Sequence, residues 1–492
     1  GNPADDTLSF TGTSTANNYV FKLDSASYVT IKNLTLGSTA TSTYSGKILM
    51  TWDASYDSVI NCCFYNNFTT VTTGSTASSV LAINFVGNDN VFMNNTFLGA
   101  GYGIYWSGVN QGIVHNRNSI LNNTFTNQTY MSIYNYYGDN VKMRNNTFTS
   151  SGSLSSGYYG IYNYYTNGDV NISSNTMNLT TTSTGTVYGI NAVYCYGAPG
   201  NPAMSPKFND NKITLTSTNS VTMYGLQVNN SAYDSVARNK IIATSTSSST
   251  FYPLYNTYNS NCYVGYDTVV STSSTGGCYT AALQYCVNSR AENLDITQTT
   301  GSTGYNIFYG LNYSHGSIFT NNKFRANTNT TSSTYRMEFY GCANTNGGIS
   351  SNNDAMIKGS AYYHYNYFGQ YTNDCIIENN TIVDTNTYTS GYIYGMYAYG
   401  ATNKTYGNTR ISNNKITTSS YYVNYGLYFY YGYRATVNNN IIKARSSNSD
   451  CYGMYWPNPI SGNTVYNNAV SARGSYTMGL YYYQQLENFS RF

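Results

Sequence analysis

The sequence predicts an all-β fold in which short strands wind into a parallel β-solenoid, a stack of coils of about 28 residues each. Three observations predict it. An Asn-centred motif returns at a nearly fixed step, a Tyr-Gly motif returns in phase with it, and the runs between them alternate without the apolar spacing of a helix. Turn-like Ser, Thr and Gly clusters such as TSTSSST at 244 separate the runs.

The first motif is one Asn with an apolar residue three positions before it and another two positions after it, as in VKMRNNTFTS at 141. It occurs at Asn95, Asn123, Asn146, Asn175, Asn211, Asn239, Asn322, Asn380, Asn414, Asn440 and Asn468, and at Asn67 without the second apolar residue. Weaker copies are Asn33, Asn293 and Asn353. Equivalent residues of stacked coils lie over one another, so the apolar positions should form buried columns. The Asn side chains should form a ladder of amide hydrogen bonds from coil to coil.

The second motif reads Tyr-Gly-apolar-Tyr, as in YGIY at 102 and 159 and YGMY at 394 and 452. Strand alternation places Ile104 and Ile133 in the core and the following Tyr on the opposite face. The candidate contact residues on the resulting stripe are Tyr134, Tyr162, Tyr397, Tyr428 and Tyr455. Two interpretations stay open at this point. The stripe is a shield of stacked rings worth about 0.2–1 kcal/mol per pair, or it is a surface for binding or assembly.

Composition restricts the function classes. The chain of 492 residues has 58 Tyr but only 9% charged residues, 23 basic and 20 acidic, with no block of like charge to follow a phosphate backbone. We therefore expect no nucleic-acid partner, and no apolar run is long enough for a membrane span. The nine Cys lack the C-x-x-C spacing of a zinc site and fit small core residues, and disulfides between layers would need an oxidising compartment. We expect neither a metal nor a cofactor.

Acidic residues suited to catalysis are sparse. Asp57, Asp89, Asp139, Asp169, Asp234 and Asp374 each precede an apolar strand, where an Asp typically bonds local turn backbone. The close pairs are Asp53 with Asp57 and Glu292 with Asp295, and their spacing alone does not set two carboxylates across a substrate. The three His residues form no metal-binding motif. We therefore expect no enzymatic activity, and the two pairs are the first candidates if an activity exists.

VKMRNNTFTS, CIIENNTIVD and TRISNNKITT resemble the coils of the right-handed parallel β-helix superfamily, the fold of pectate lyases and many secreted repeat proteins. The resemblance covers about residues 20–483 and implies one right-handed β-helix of about 15 or 16 coils. Residues 1–19 are then a lead-in or the end of a preceding segment, and 484–492 are a tail or the start of a following one. One such fold hosts many activities. The Asn-, Ser-, Thr- and Tyr-rich style is also similar to large surface adhesins and appendage proteins secreted by Bacteroidota.

The function expected from this resemblance is structural, a rigid segment of an extracellular surface filament or adhesin. Its expected partners are other copies of itself or adjoining segments of a longer chain, and cell-surface glycans are a further candidate. The alternatives are a polysaccharide lyase or glycoside hydrolase, and a glycan-binding module without catalysis.

Overall fold

The computed structural model describes residues 7–10, 19–38, 47–66, 80–152, 157–182, 185–301, 304–329, 336–400 and 407–483. Its contacts divide the chain into two units, residues 1–244 and 245–492. The fold is an all-β parallel solenoid of about 15 turns with coils of about 28 residues, as the sequence predicts. The described residues contain no α-helix, and one 3₁₀ turn, Pro202–Met204, lies in the exposed insertion after Tyr196.

Three parallel sheets run through each unit, and every full coil contributes one strand to each of them in the same order. In the first unit the first sheet has the strands Tyr19–Asp24, Lys47–Trp52, Val80–Phe85, Tyr102–Ser107, Met131–Tyr136, Gly157–Asn167, Thr186–Tyr196 and Thr222–Asn229. The second sheet has Thr30–Lys32, Ser58–Ile60, Val91–Met93, Ser119–Leu121, Lys142–Arg144, Asn171–Ser173, Lys207–Asn209 and Ser235–Ala237. The third has Thr7–Ser9, Thr35–Ser38, Cys63–Asn66, Thr96–Gly99, Thr124–Thr126, Thr147–Gly152, Thr176–Thr181, Lys212–Ser217 and Lys240–Ser245. A short extra pair joins His115–Asn116 to Gly138–Asp139. The strand Thr7–Ser9, inside the predicted lead-in, pairs in register with residues 35–37.

The second unit repeats the arrangement. Its first sheet has Thr250–Thr257, Cys278–Gln284, Asn306–Asn312, Arg336–Ala343, Tyr363–Gln370, Tyr392–Tyr399, Asn424–Tyr430, Asp450–Trp456 and Tyr476–Tyr482. Its second sheet has Tyr263–Gly265, Arg290–Glu292, Ile318–Thr320, Ile349–Ser351, Ile376–Glu378, Arg410–Ser412, Thr436–Asn438 and Thr464–Tyr466. Its third has Thr268–Ser273, Asp295–Thr300, Lys323–Asn329, Asp354–Ser360, Thr381–Asn386, Lys415–Ser420, Ile441–Ser446 and Ala469–Arg473.

The core consists of columns of like residues, because the parallel pairing keeps equivalent positions in register. Phe64, Phe97, Phe125 and Phe148 pair directly and are all fully buried. Their rings stack with centroids 4.8, 4.8 and 5.0 Å apart, the spacing of neighbouring strands. The apolar position two residues after the motif Asn is thus a buried column, as predicted.

The Asn ladder is present in both units. The backbone N–H and Nδ2 of Asn123 both donate to Oδ1 of Asn146, at 2.9 and 3.1 Å, and Nδ2 also donates to the carbonyl of Phe92 at 2.9 Å. Each ladder Asn therefore ties three coils together. In the first unit the ladder consists of Asn95, Asn123, Asn146, Asn175, Asn211 and Asn239. In the second unit it consists of Asn322, Asn353, Asn380, Asn414, Asn440 and Asn468.

The two residues of each Asn-Asn pair have different roles. Asn145, Asn122 and their equivalents are left-handed, with φ near 57°, a conformation that Asn tolerates better than most residues. The three weaker copies of the motif fall at these two different positions. Asn353 is a full ladder member, whereas Asn33 and Asn293 occupy the left-handed position. Asn67 lies outside the described residues. The ladder position of its coil is Cys62, whose N–H donates to Oδ1 of Asn95, so the motif match at 67 was out of register.

Candidate interaction surface

The outward side of the first sheet in the first unit is covered by tyrosine rings. Tyr105, Tyr134 and Tyr162 pair across neighbouring strands. Their rings stack with centroids 4.5 and 5.4 Å apart and planes within 16°. A second column, Tyr159 and Tyr188, stacks at 4.6 Å, and Tyr159 meets Tyr162 edge to face at 5.3 Å. Stacking along the coils and edge contacts along the strand build a two-dimensional array, which we call the first Tyr face.

The second unit carries an equivalent array, the second Tyr face. Its columns are Tyr365, Tyr394, Tyr425 and Tyr452, and Tyr397, Tyr428, Tyr455 and Tyr481. The Tyr397, Tyr428 and Tyr455 centroids are 5.2 and 5.3 Å apart, and Tyr394 meets Tyr397 edge to face at 5.2 Å. All five Tyr predicted as contact residues therefore lie on these two faces.

The prediction of which residues point inward and which point outward is right, but the outward Tyr rings are only partly exposed. Ile104, Ile133, Ile161 and Ile190 are fully buried inside the coils. Tyr105, Tyr134 and Tyr162 lie on the opposite side and are half-buried, because neighbouring rings cover them. Since stacked rings cover one another's faces at the strand spacing, the surface presents ring edges and hydroxyl tips.

This packing changes the acidity of the phenols. Burial first, and neighbouring tyrosines second, raise the pKa of Tyr159 and of Tyr365 to about 12. The same causes raise the pKa of Tyr134, Tyr162 and Tyr428 above the ordinary value. The Tyr faces are therefore neutral hydrogen-bonding surfaces at physiological pH, with hydroxyls that both donate and accept.

Several of the Asp residues that precede apolar strands bond neighbouring coils, which the expectation of local turn bonds did not include. Asp57 is buried and its Oδ1 accepts from the N–H of Val29 in the preceding coil at 2.8 Å. Burial raises the pKa of Asp57. Asp53 is exposed in a turn with φ 50°, and Asp295 is exposed. Glu292 pairs with Arg290 and accepts from the Tyr263 hydroxyl at 3.1 Å.

Two buried polar arrangements were not predicted from the sequence. Asn90 and Asn118 form a second ladder, in which the N–H of Asn90 donates to Oδ1 of Asn118 at 2.7 Å and the N–H of Asp57 donates to Asn90 at 2.9 Å. The other is a buried His–Asp contact. His364 is fully buried, with Nδ1 2.6 Å from Oδ1 of Asp384, and Asn366 donates to the other carboxylate oxygen at 2.9 Å.

The remaining histidine and cysteine side chains are mostly buried. His115 is buried beside Trp106, and burial lowers its pKa to about 3. All nine cysteines are free, and eight of them are buried. In the part of the chain that the structure describes, no group of three His, Cys, Asp or Glu is placed to hold a metal ion. No helix in these ranges is long and apolar enough to cross a bilayer.

Comparison with known proteins gives no family. No protein-family model matches the chain, and no curated protein matches it. Among solved structures it is similar to the PL6 family alginate lyase AlyGC, at 9% identity over 100% of this chain and 98% of that chain, with a TM-score of 0.16. A similarity this low carries no argument about activity.

Proposed function

We propose that this chain is a structural segment of an extracellular surface filament or adhesin, and that the two Tyr faces are its contact surfaces. The observation that carries the proposal is the ordered array of rings on the first sheet of each unit. The proposal agrees with the resemblance of the coils to the right-handed parallel β-helix superfamily and to large Bacteroidota adhesins.

Preorganisation supports a contact role. A side chain that becomes ordered on binding loses about 0.5–1.5 kcal/mol of conformational freedom. Tyr134 and Tyr162 are already fixed, with ring planes 2° apart and centroids 5.4 Å apart. A partner that packs against these rings gains contact with rigid aromatic groups at little further entropic cost.

The orientation of the rings indicates the kind of partner. A sugar that stacks on an aromatic side chain needs the face of the ring, and here Tyr394, Tyr425 and Tyr428 cover one another's faces and edges at 5.0 to 5.3 Å. A protein surface can interdigitate with ring edges and bond the hydroxyl tips. We therefore favour another copy of the chain, or an adjoining segment, over a glycan as the occupant of the Tyr faces.

The test is to replace Tyr397, Tyr428 and Tyr455 by Asn in the full chain. Asn191 pairs with Tyr162 in the register of the first unit, so the fold accepts Asn at this position. The expected result is unchanged circular dichroism at 25 °C with weaker self-association in sedimentation and weaker surface attachment.

The matched control replaces three outward hydroxyl residues of the third sheet in the first unit, Thr180, Thr214 and Thr216, by Asn. Their loss should leave association unchanged. If the Tyr variant associates and attaches as well as the parent, the rings are only a shield and the proposal is wrong.

A further inference from the structure

Four basic residues lie close together on the outward side of the third sheet in the second unit. Lys443 and Arg445 are two apart on one strand and Arg445 pairs in register with Arg473 of the next strand. Lys415, two strands before Arg473, lies diagonally from Lys443, and all four are exposed. Strand spacing is about 4.8 Å and two residues along a strand span about 6.6 Å. The four cations therefore share a small patch, which we call the basic face.

This clustering of like charges is unfavourable by itself. Like charges directly opposite each other on neighbouring strands destabilise a sheet. Two arginines of the first unit have an acid opposite them: Arg117 with Asp89 and Arg238 with Asp210 are both 2.7 Å apart across a spacing of 28 residues. The neighbours of Arg445 are Ser419 on one side and Arg473 on the other.

No acidic side chain compensates the basic face among the described residues. After Asn386 these ranges hold one acid, Asp450, which belongs to the first sheet, where the Tyr452 hydroxyl donates to it at 3.3 Å. Arg410, by contrast, is paired with Glu378 at 2.5 Å. Lys415, Lys443, Arg445 and Arg473 are therefore exposed to solvent without an acidic partner in this part of the chain and are open to an external anion.

From this geometry we infer that the basic face binds a linear anionic polysaccharide. A row of equivalent positions on the same sheet continues from Arg473 and Arg445 through Ser419 and Thr385 to Lys358. Lys358 lines an open depression of about 370 Å³ together with Thr299, Arg325, Asn327 and Met356. Cations at both ends and hydroxyl groups between them suit a polymer with carboxylate or sulfate groups and free hydroxyls.

Nucleic acid fits this surface less well. Single strands are bound by basic grooves in which aromatic side chains stack the bases. The outward residues of the three strands are Lys415, Thr417, Ser419, Ile441, Lys443, Arg445, Ala469, Ser471 and Arg473, without an aromatic ring. The Tyr faces lie on a different sheet, so this inference stands or falls independently of the proposed function.

The experiment measures binding of the full chain to heparin and to polygalacturonate, with dextran as the neutral polymer and poly(dT) and duplex DNA as competing polyanions. The variant Lys443→Ser/Arg445→Ser should weaken binding to at least one acidic polysaccharide by about tenfold or more. The matched control is Lys142→Ser/Arg144→Ser, an exposed Lys-x-Arg strand in the second sheet. It changes the net charge equally and should leave binding unchanged. Loss of heparin binding, with no binding to polygalacturonate in the parent, would indicate recognition of sulfate, whereas loss of polygalacturonate binding would indicate recognition of carboxylate.

Ser419→Glu provides a variant whose effect does not depend on damage to the fold. A carboxylate opposite Arg445 should raise the midpoint of urea unfolding while it lowers polysaccharide affinity. Lys358→Ser should weaken binding of long chains and leave short oligosaccharides unaffected. Absence of binding to both acidic polymers, equal losses in the two Lys-x-Arg variants, or tighter binding of DNA through the same residues would each overturn the inference.

Discussion

The Asn ladder makes a quantitative prediction at Asn146. The substitution Asn146→Leu keeps the backbone N–H of residue 146 on Asn175 but removes four bonds of the side chain. One of the lost bonds leaves the N–H of Asn123 buried without its acceptor, at a cost of about 1–3 kcal/mol. The others contribute about 1 kcal/mol each or less, because Nδ2 of Asn123 still bonds the Phe92 carbonyl. The expected total is about 3–5 kcal/mol of unfolding free energy.

Leucine is the informative replacement because the fold already contains one at a ladder position. Leu294 is buried, and its N–H donates to Oδ1 of Asn322 at 3.0 Å. A large loss at Asn146 would therefore reflect hydrogen bonds and not a side chain that does not fit. Urea unfolding followed by circular dichroism gives the free energy. Hydrogen exchange of the Asn123 amide gives a local measurement, which is needed since a solenoid can open region by region.

The neighbouring Asn145 is the control. It is exposed with φ 57°, so Asn145→Leu should cost only about 1–2 kcal/mol of left-handed strain and Asn145→Gly close to nothing. If Asn146→Leu costs no more than Asn145→Leu, and the Asn123 amide stays protected, the ladder is not a main source of stability.

Three further outcomes can be measured by the same unfolding experiments. His364→Met should lower the unfolding free energy by about 3–5 kcal/mol, because it leaves Asp384 buried without its His364 partner. Adding Asp384→Ile should restore most of that stability, because Met and Ile occupy these two positions in the preceding coil. A double variant no more stable than the single one would contradict this. Phe125→Ala should cost about 3–5 kcal/mol through a cavity in the stacked column, and Phe125→Leu clearly less. Burial raises the pKa of Tyr159 to about 12, whereas its value in the unfolded chain is about 10. The contribution of the neutral phenol to stability is therefore complete below about pH 10 and is lost as the pH rises to about 12. An absorbance titration in which all tyrosines of the folded chain ionise near pH 10 would refute this prediction.

The repeat period of the sequence was sufficient to predict the solenoid. In a parallel in-register stack the residues of one column recur along the sequence at intervals of one coil length, and they are often of one type. The column Phe97, Phe125, Phe148 shows this directly. The register failed at Asn67, and the weaker copies Asn33 and Asn293 were each one residue before the ladder position. The apolar Phe64 before Asn67 belongs to the Phe97 column and not to the column of Phe92. A motif with one missing apolar position cannot distinguish those two columns.

Contacts between different sheets had no signal in the sequence. His364 and Asp384 are 20 residues apart on the first and third sheets and face each other across the interior. Alternation predicts that each points inward, but not that the two meet. The partial burial of the Tyr rings could not be predicted for a related reason. Alternation gives the side of the sheet, whereas the cover that Tyr134 receives from Tyr105 and Tyr162 comes from stacking between coils.

The unusual composition follows from the same stacking. In a parallel solenoid the nearest outward neighbour of a residue is its own equivalent in the next coil, about 4.8 Å away. A repeated charge would then repel itself at every step, whereas repeated Tyr, Thr or Asn attract one another. Low charge and abundant Tyr are therefore what a long in-register stack favours. Charged residues can lie opposite a residue of the other sign, as Arg117 does to Asp89, or between uncharged neighbours, as Arg144 does between Leu121 and Ser173. Arg445 and Arg473 are like charges directly opposite each other, with Lys443 and Lys415 beside them, and this cluster of four cations is why we assign the basic face to an external anion.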